Sequence, residues 1–219
     1  MIFNYVKRNA TPSLTEEHKH VRLNFALEHL NKPPAWTMVI CSDEIKFNLD
    51  GPDGLQHYWR DLRHEHETYL SRKFGGKSVM VWGAFSSAGL SELAFLEGNQ
   101  NADKYIWTLQ DYLFPFAHDA YSDDILFQQD TASIHRAKAT MEFLREQKVT
   151  VFAHPVLFPD LNPIENLWGI VVREVYKDKT AINLAWAKID PVTIQNLVES
   201  MPRRCTGVVV AMNGGMTKY

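Results

Sequence analysis

Two apolar runs in this chain each break off at an aspartate. Trp36-Thr-Met-Val-Ile-Cys41 leads through Ser42 into Asp43, and Asp124-Ile-Leu-Phe-Gln128 leads through Gln129 into Asp130. Short apolar runs without alternation read as strands buried on both faces. Around them the pattern is orderly. Ser13 or Thr15 can cap a helix whose first turn holds Glu16 and Glu17, with Val21, Leu23, Ala26, Leu27 and Leu30 at helical spacing. Lys46–Leu49 suggests a second strand, Asp50-Gly-Pro-Asp-Gly54 a turn, and Gln56–Trp59 a third strand. Ser78–Phe85 and Leu90–Leu96 read as a hairpin about residues 86–89. Helical spacing returns over Asp103–Phe116, Ile134–Lys148 and Asn162–Tyr176, with a strand at Val149–Phe152 and two more helices between residues 183 and 213. Early strands followed by alternating strands and helices imply a mixed sheet with helices on its faces. Several three-layer α/β folds satisfy that order.

Bulk properties narrow the class. Of 219 residues 45% are hydrophobic, with six Trp, eight Tyr and twelve Phe, which supports one sizeable core and excludes a disordered chain. No apolar run is long enough to span a bilayer. Cys41 and Cys205 stand alone without metal-ligand spacing and read as free thiols of a reducing compartment. The net charge of −3 does not suit a protein that grips nucleic acid with its whole surface.

The aspartates gain meaning beside Glu165, one turn inside the helix that begins near Asn162-Pro163. Ligand sites in open α/β sheets gather beyond the carboxyl ends of parallel strands. Three carboxylates brought together there repel one another, and bound cations relieve the repulsion. Carboxylate and water ligands suit Mg²⁺ or Mn²⁺ rather than zinc. Two such ions about 3.5–4 Å apart can activate an attacking oxygen and stabilise the leaving oxygen of a phosphodiester. Each acid also has a plain structural reading. Asp43 can be a strand-end residue, Asp130 a helix cap, and Glu165 the N3 partner of an Asn162 capping box. Because neighbouring strand residues face opposite ways, only one of Asp43 and Glu44 can point into a site.

Four stretches resemble transposases of the Tc/mariner superfamily, specifically the Tc-like branch. They are Cys41-Ser-Asp-Glu-Ile-Lys-Phe-Asn-Leu-Asp-Gly51, Gly75-Gly-Lys-Ser-Val-Met-Val-Trp-Gly83, Phe127-Gln-Gln-Asp130 with Ile134-His-Arg-Ala137, and Pro159-Asp-Leu-Asn-Pro-Ile-Glu-Asn-Leu-Trp168. Residues 131 through 164, 34 in number, separate Asp130 from Glu165, the interval of that branch. The resemblance implies a ribonuclease-H-like three-layer α/β fold, a mixed central sheet flanked by helices, with a hairpin insertion near residues 75–96 similar to the family's clamp loop. It implies that Asp43, Asp130 and Glu165 bind two Mg²⁺ or Mn²⁺ ions. It implies hydrolysis of DNA at transposon ends and attack of the freed 3′ hydroxyl on a TA target, in a homodimer, in the nucleus. Residues 1–12 read as a linker or tail and 13–219 as the catalytic domain, without the family's paired helix-turn-helix subdomains.

Lys46, Lys73, Lys77, His135, Arg136 and Lys138 are the candidate DNA contacts; Arg60 is a further basic position near them. His64-Glu-His-Glu67 reads as a solvated polar segment. Two features depart from the family pattern: Asp130-Thr-Ala-Ser133 stands where Asp-Asn-Ala-Pro is usual, and the stretch between Lys179 and Trp186 is short. They favour an alternative, a non-catalytic remnant that keeps the fold as a DNA-binding or dimerisation module.

Overall fold

A computed structural model describes residues 14–48, 77–121, 125–152, 158–211 and 213–217. The expected turn at 50–54, the strand near 56–59 and the polar segment 60–74 lie outside them, as do Arg60 and Lys73. Helix α1 (Glu16–Asn31) starts at Thr15, whose hydroxyl accepts the His18 amide while the His18 ring accepts the Thr15 amide. A single helical turn, Trp36–Met38, then delivers the chain into β1 (Val39–Asn48). The two strands expected over residues 36–49 are therefore one. The reason is pairing: β2 (Ser78–Ser86) runs antiparallel beside β1 without a break from Cys41↔Phe85 to Asn48↔Ser78.

The returning arm of the hairpin forms two short strands, β3 (Gly89–Leu90) and β4 (Ala94–Leu96), both paired with β2. The hairpin expected as a clamp-like insertion is thus the antiparallel flank of the sheet itself. Helix α2 (Ala102–Thr108) continues through a wider turn at Leu109–Leu113 into α3 (Phe114–Tyr121). Strand β5 (Leu126–Gln128), helix α4 (Lys138–Glu146) and strand β6 (Thr150–Phe152) extend the parallel part of the sheet. The helices α5 (Ile164–Asp178), α6 (Ile182–Ala187), α7 (Pro191–Glu199) and α8 (Met201–Thr206) close the fold. Three helices replace the two expected near the end, because Pro191 and Pro202 each open a new first turn.

The sheet order is β3-β2-β1-β5-β6, with β1 parallel to β5 and β5 parallel to β6. Alternation along β1 and β2 divides the core into two layers. Val39, Cys41, Phe47, Val81 and Phe85 pack beneath α1 and α5–α8. Ile40, Trp82, Ala84 and Phe127 pack beneath α2–α4. The mixed sheet flanked on both faces is the three-layer architecture expected. No described helix is long and apolar enough to cross a membrane.

Gly83 sets how closely α5 approaches the sheet. It pairs with Asp43, and a Cβ there would meet Leu93 Cδ2 at 2.9 Å and Trp168 Cη2 at 3.0 Å. Trp168 is itself pinned, fully buried and stacked on Trp186 at 4.9 Å. We expect Gly83→Ala to cost about 1–3 kcal/mol, as overpacking of a rigid core does. Urea melts should show a lower midpoint with unchanged slope; an unchanged midpoint would mean that α5 is not pinned here.

Candidate carboxylate site

The register of the parallel strands decides where the first two acids stand. Val39, Ile40 and Cys41 lie beside Leu126, Phe127 and Gln128. Two residues further on come Asp43, still within β1, and Asp130, just past the end of β5. Side-chain contacts follow the same register: the Ser42 hydroxyl donates to the Gln128 carbonyl at 3.1 Å, and Cys41 Sγ lies 3.7 Å from Gln128 Oε1.

Glu165 arrives from above on the first turn of α5, which packs against β1. The expected capping box does not form. Pro163 occupies the N-cap position without a side-chain cap, and Asn162 instead donates its Nδ2 to the Ser42 carbonyl at 3.2 Å. The amide that was expected to cap α5 thus ties its start to the residue beside Asp43, and Glu165 is left free of capping duty.

The charges of this group fall most heavily on Asp43. Burial, then the charges of Glu165, Glu44 and Asp130, push its pKa up to about 8. Burial also raises the pKa of Glu165. A cluster of carboxylates that repel one another in a buried setting is the chemistry a divalent cation satisfies, so the donor set fits Mg²⁺ or Mn²⁺. Among the described residues, however, no three acids, histidines or cysteines converge on one point as a preformed cage.

Asp130 accounts for that. Its Oδ1 accepts the Ala132 amide at 2.8 Å and the His135 Nδ1 proton at 2.5 Å. The turn so made displaces the start of α4 from the expected Ile134 to Lys138. His135 is buried, its ring lies 4.1 Å from that of Tyr105, and its Nε2 is 3.3 Å from Glu44 Oε1. Burial lowers the histidine's pKa, but its bonds to Asp130 and Glu44 outweigh that and raise it to about 9. His135 was expected among the DNA contacts. Its ring is instead buried against Tyr105, between the carboxylates of Asp130 and Glu44. Tyr105 in turn donates to Gln129 Oε1 at 2.6 Å, and Gln129 Nε2 donates to the His135 carbonyl at 3.3 Å. Glu44, Tyr105 and Gln129 were not foreseen as part of the site. Alternation along β1 was the available signal for Glu44, since it must face away from Asp43.

Lys46 and Lys77 are exposed, on β1 and just before β2. Arg136 and Lys138 are exposed as well and line an open groove of about 660 Å³ beside Arg145 and Lys148, along edge strand β6. These four are available to phosphate; Lys73 lies outside the described residues.

Residues 38–184 match the family model described as DDE superfamily endonuclease. The Tc3 transposase of Caenorhabditis elegans is 38% identical over 227 residues, spanning 95% of this chain and 68% of the relative. The Tc1 transposase of the same species is 31% identical over 220 residues, spanning 95% and 80%. Among solved structures, the Mos1 transposase paired-end complex with left transposon end matches with a TM-score of 0.83 at 20% identity, over 100% of this chain and 68% of that one. The catalytic domain of Mos1 mariner transposase matches with 0.72 at 17% identity, over 95% and 100%. At these identities the structural likeness speaks for the fold.

The strain at Asp43 has a measurable sign. Its carboxyl is harder to ionise folded than unfolded, so the metal-free protein loses stability as pH rises from about 4 to about 8. Asn at this position has no proton to lose. We expect Asp43→Asn in EDTA to melt several degrees above the wild type at pH 8, roughly 2–4 °C for each kcal/mol relieved. That advantage should vanish near pH 4. Equal melting temperatures at pH 8 would show that Asp43 carries no such strain.

Proposed function

This chain belongs to the DDE superfamily of endonucleases, as a transposase catalytic domain of the Tc/mariner type, and from that premise we propose that Asp43, Asp130 and Glu165 hold two Mg²⁺ or Mn²⁺ ions at its catalytic centre. The observation that supports the reading is that the paired strands β1 and β5 lead into Asp43 and Asp130 while α5, packed against β1, carries Glu165 in its first turn. Mos1 paired-end complexes solved with Mn and with Mg support the choice of metal.

Ions bound among these oxygens would activate the attacking oxygen and neutralise charge developing on the phosphate. The protein's own part is positional. Asp43 and Glu165 present oxygens from a strand and a helix that Trp168 packing and the Asn162–Ser42 bond hold together. His135 braces Asp130 and carries positive charge between it and Glu44. The substrate is DNA. In the first step a water oxygen bonds to phosphorus at a transposon end and the 3′ oxygen leaves as a hydroxyl. In the second step that hydroxyl bonds to phosphorus in a TA target and displaces the target's own 3′ oxygen. Lys46, Lys73, Lys77, Arg136 and Lys138 are the proposed phosphate contacts. Two copies act together, one for each end, a reading supported by the paired-end architecture of Mos1. The place of action is the nucleus.

The test joins this chain to a matching end-binding domain and follows nicking of end-bearing DNA in Mn²⁺. We expect Asp130→Ala and Glu165→Gln each to slow nicking about 100-fold or more, the scale of several kcal/mol of lost charge stabilisation. Variants as fast as the wild type would sink the assignment. A wild-type fusion that binds ends and never nicks would favour the non-catalytic module.

A further inference from the structure

Two arginines outside the carboxylate group are as buried as any side chain in the molecule. Arg22 of α1 and Arg204 of α8 are 0% and 1% exposed, and Asp160 is 3% exposed. Arg22 Nη1 and Nη2 donate to the two carboxylate oxygens of Asp160 at 2.9 and 2.6 Å. Its Nε and Nη2 also donate to the carbonyls of Gly214 and Gly215, and its guanidinium lies over the Phe158 ring at 4.4 Å. The Thr217 amide adds a bond to Asp160 Oδ2. Arg204 donates to the Asp160 carbonyl at 2.8 Å, to Asn166 Oδ1 at 2.7 Å and to Ser200 Oγ at 2.7 Å.

The bonds to Asp160 and Asn166 fall at the two ends of the short corner from Asp160 to Asn166, which contains Glu165. Arg22 holds it from α1, Arg204 from α8, and Ser42 of β1, beside Asp43, through the bond its carbonyl accepts from Asn162. The segment Asn213–Thr217 closes over it. Gly214 has a φ of +85°, and a Cβ there would fall 2.1 Å from the Lys19 carbonyl oxygen, so only glycine lets this strap reach Arg22. Buried ion pairs add little net stability, because desolvation offsets their attraction. Their geometry, by contrast, is exacting: a guanidinium fork fits one carboxylate in one orientation.

We infer that Arg22, Asp160 and Arg204 are positioning residues that fix where Glu165 stands relative to Asp43, and so set the affinity of the carboxylate site for divalent cation. The inference rests on the reading of Asp43, Asp130 and Glu165 as the cation ligands. It predicts that damage to the corner weakens cation binding beyond any loss of stability.

The test is Mn²⁺ binding to the full chain, read from the electron paramagnetic resonance signal of free Mn²⁺, beside melting curves in EDTA. Arg22→Lys keeps the charge and loses the fork; Asn166→Ala removes one arm of the Arg204 grip and leaves the buried pair intact. Both should weaken Mn²⁺ binding by about 10–100-fold while the protein is folded at the assay temperature, as loss of outer-shell support does. Leu144→Ala, in the opposite core layer, should lower the melting temperature without moving Mn²⁺ affinity. If Arg22→Lys does not fold, Asn166→Ala decides alone. Unchanged affinity in a folded corner variant, or an equal loss in Leu144→Ala, overturns the positioning role. If Glu165→Gln itself binds Mn²⁺ as the wild type does, the carboxylate reading fails first and takes this inference with it.

Discussion

Everything at the candidate site depends on the parallel pairing of β1 with β5. That pairing sets Cys41 beside Gln128, each two residues ahead of an aspartate, Asp43 and Asp130. A slip of one residue would turn one aspartate to the other face of the sheet, into the layer built by Tyr105, Leu109 and Leu144. The register is secured from both sides. Val39 and Ile40 enter opposite core layers, Ser42 bonds the Gln128 carbonyl, and eight consecutive pairs with β2 hold β1 straight through Asp43.

The site stores repulsion on one residue and relieves it on another. Asp43 has acids around it and a core beneath it, and its carboxyl ionises with difficulty. Asp130, one strand away, has the His135 imidazolium and a backbone amide. The two aspartates are thus unequal partners. One is surrounded by acids, and the other is braced on a side chain that also contacts Glu44.

The elements whose causes are local were legible in the sequence. Thr15 as the cap of α1 and the two buried strand runs are examples, since each depends on neighbours within a few residues. The three acids stand out in the sequence through their spacing and flanking motifs. What escaped reading depends on specific side-chain partners, most of them far apart in the chain. The start of α4 moved to Lys138 because Asp130 and His135 bond to each other and organise the intervening turn. Asn162 left its expected capping role for a carbonyl 120 residues away. Arg22 and Asp160, 138 residues apart, look like ordinary surface charges until α1 and the Pro159 turn are packed together. The hairpin of residues 78–96 has the right local pattern for a protrusion, and only its pairing with β1 makes it a wall of the sheet.

The central claim is that Asp43, Asp130 and Glu165 close around a pair of divalent cations. Anomalous scattering from crystals grown with Mn²⁺ addresses it directly. The account predicts two peaks roughly 3.5–4 Å apart, ligated by these three carboxylates. Manganese bound elsewhere on the chain, with the three carboxylates left without metal, would contradict it.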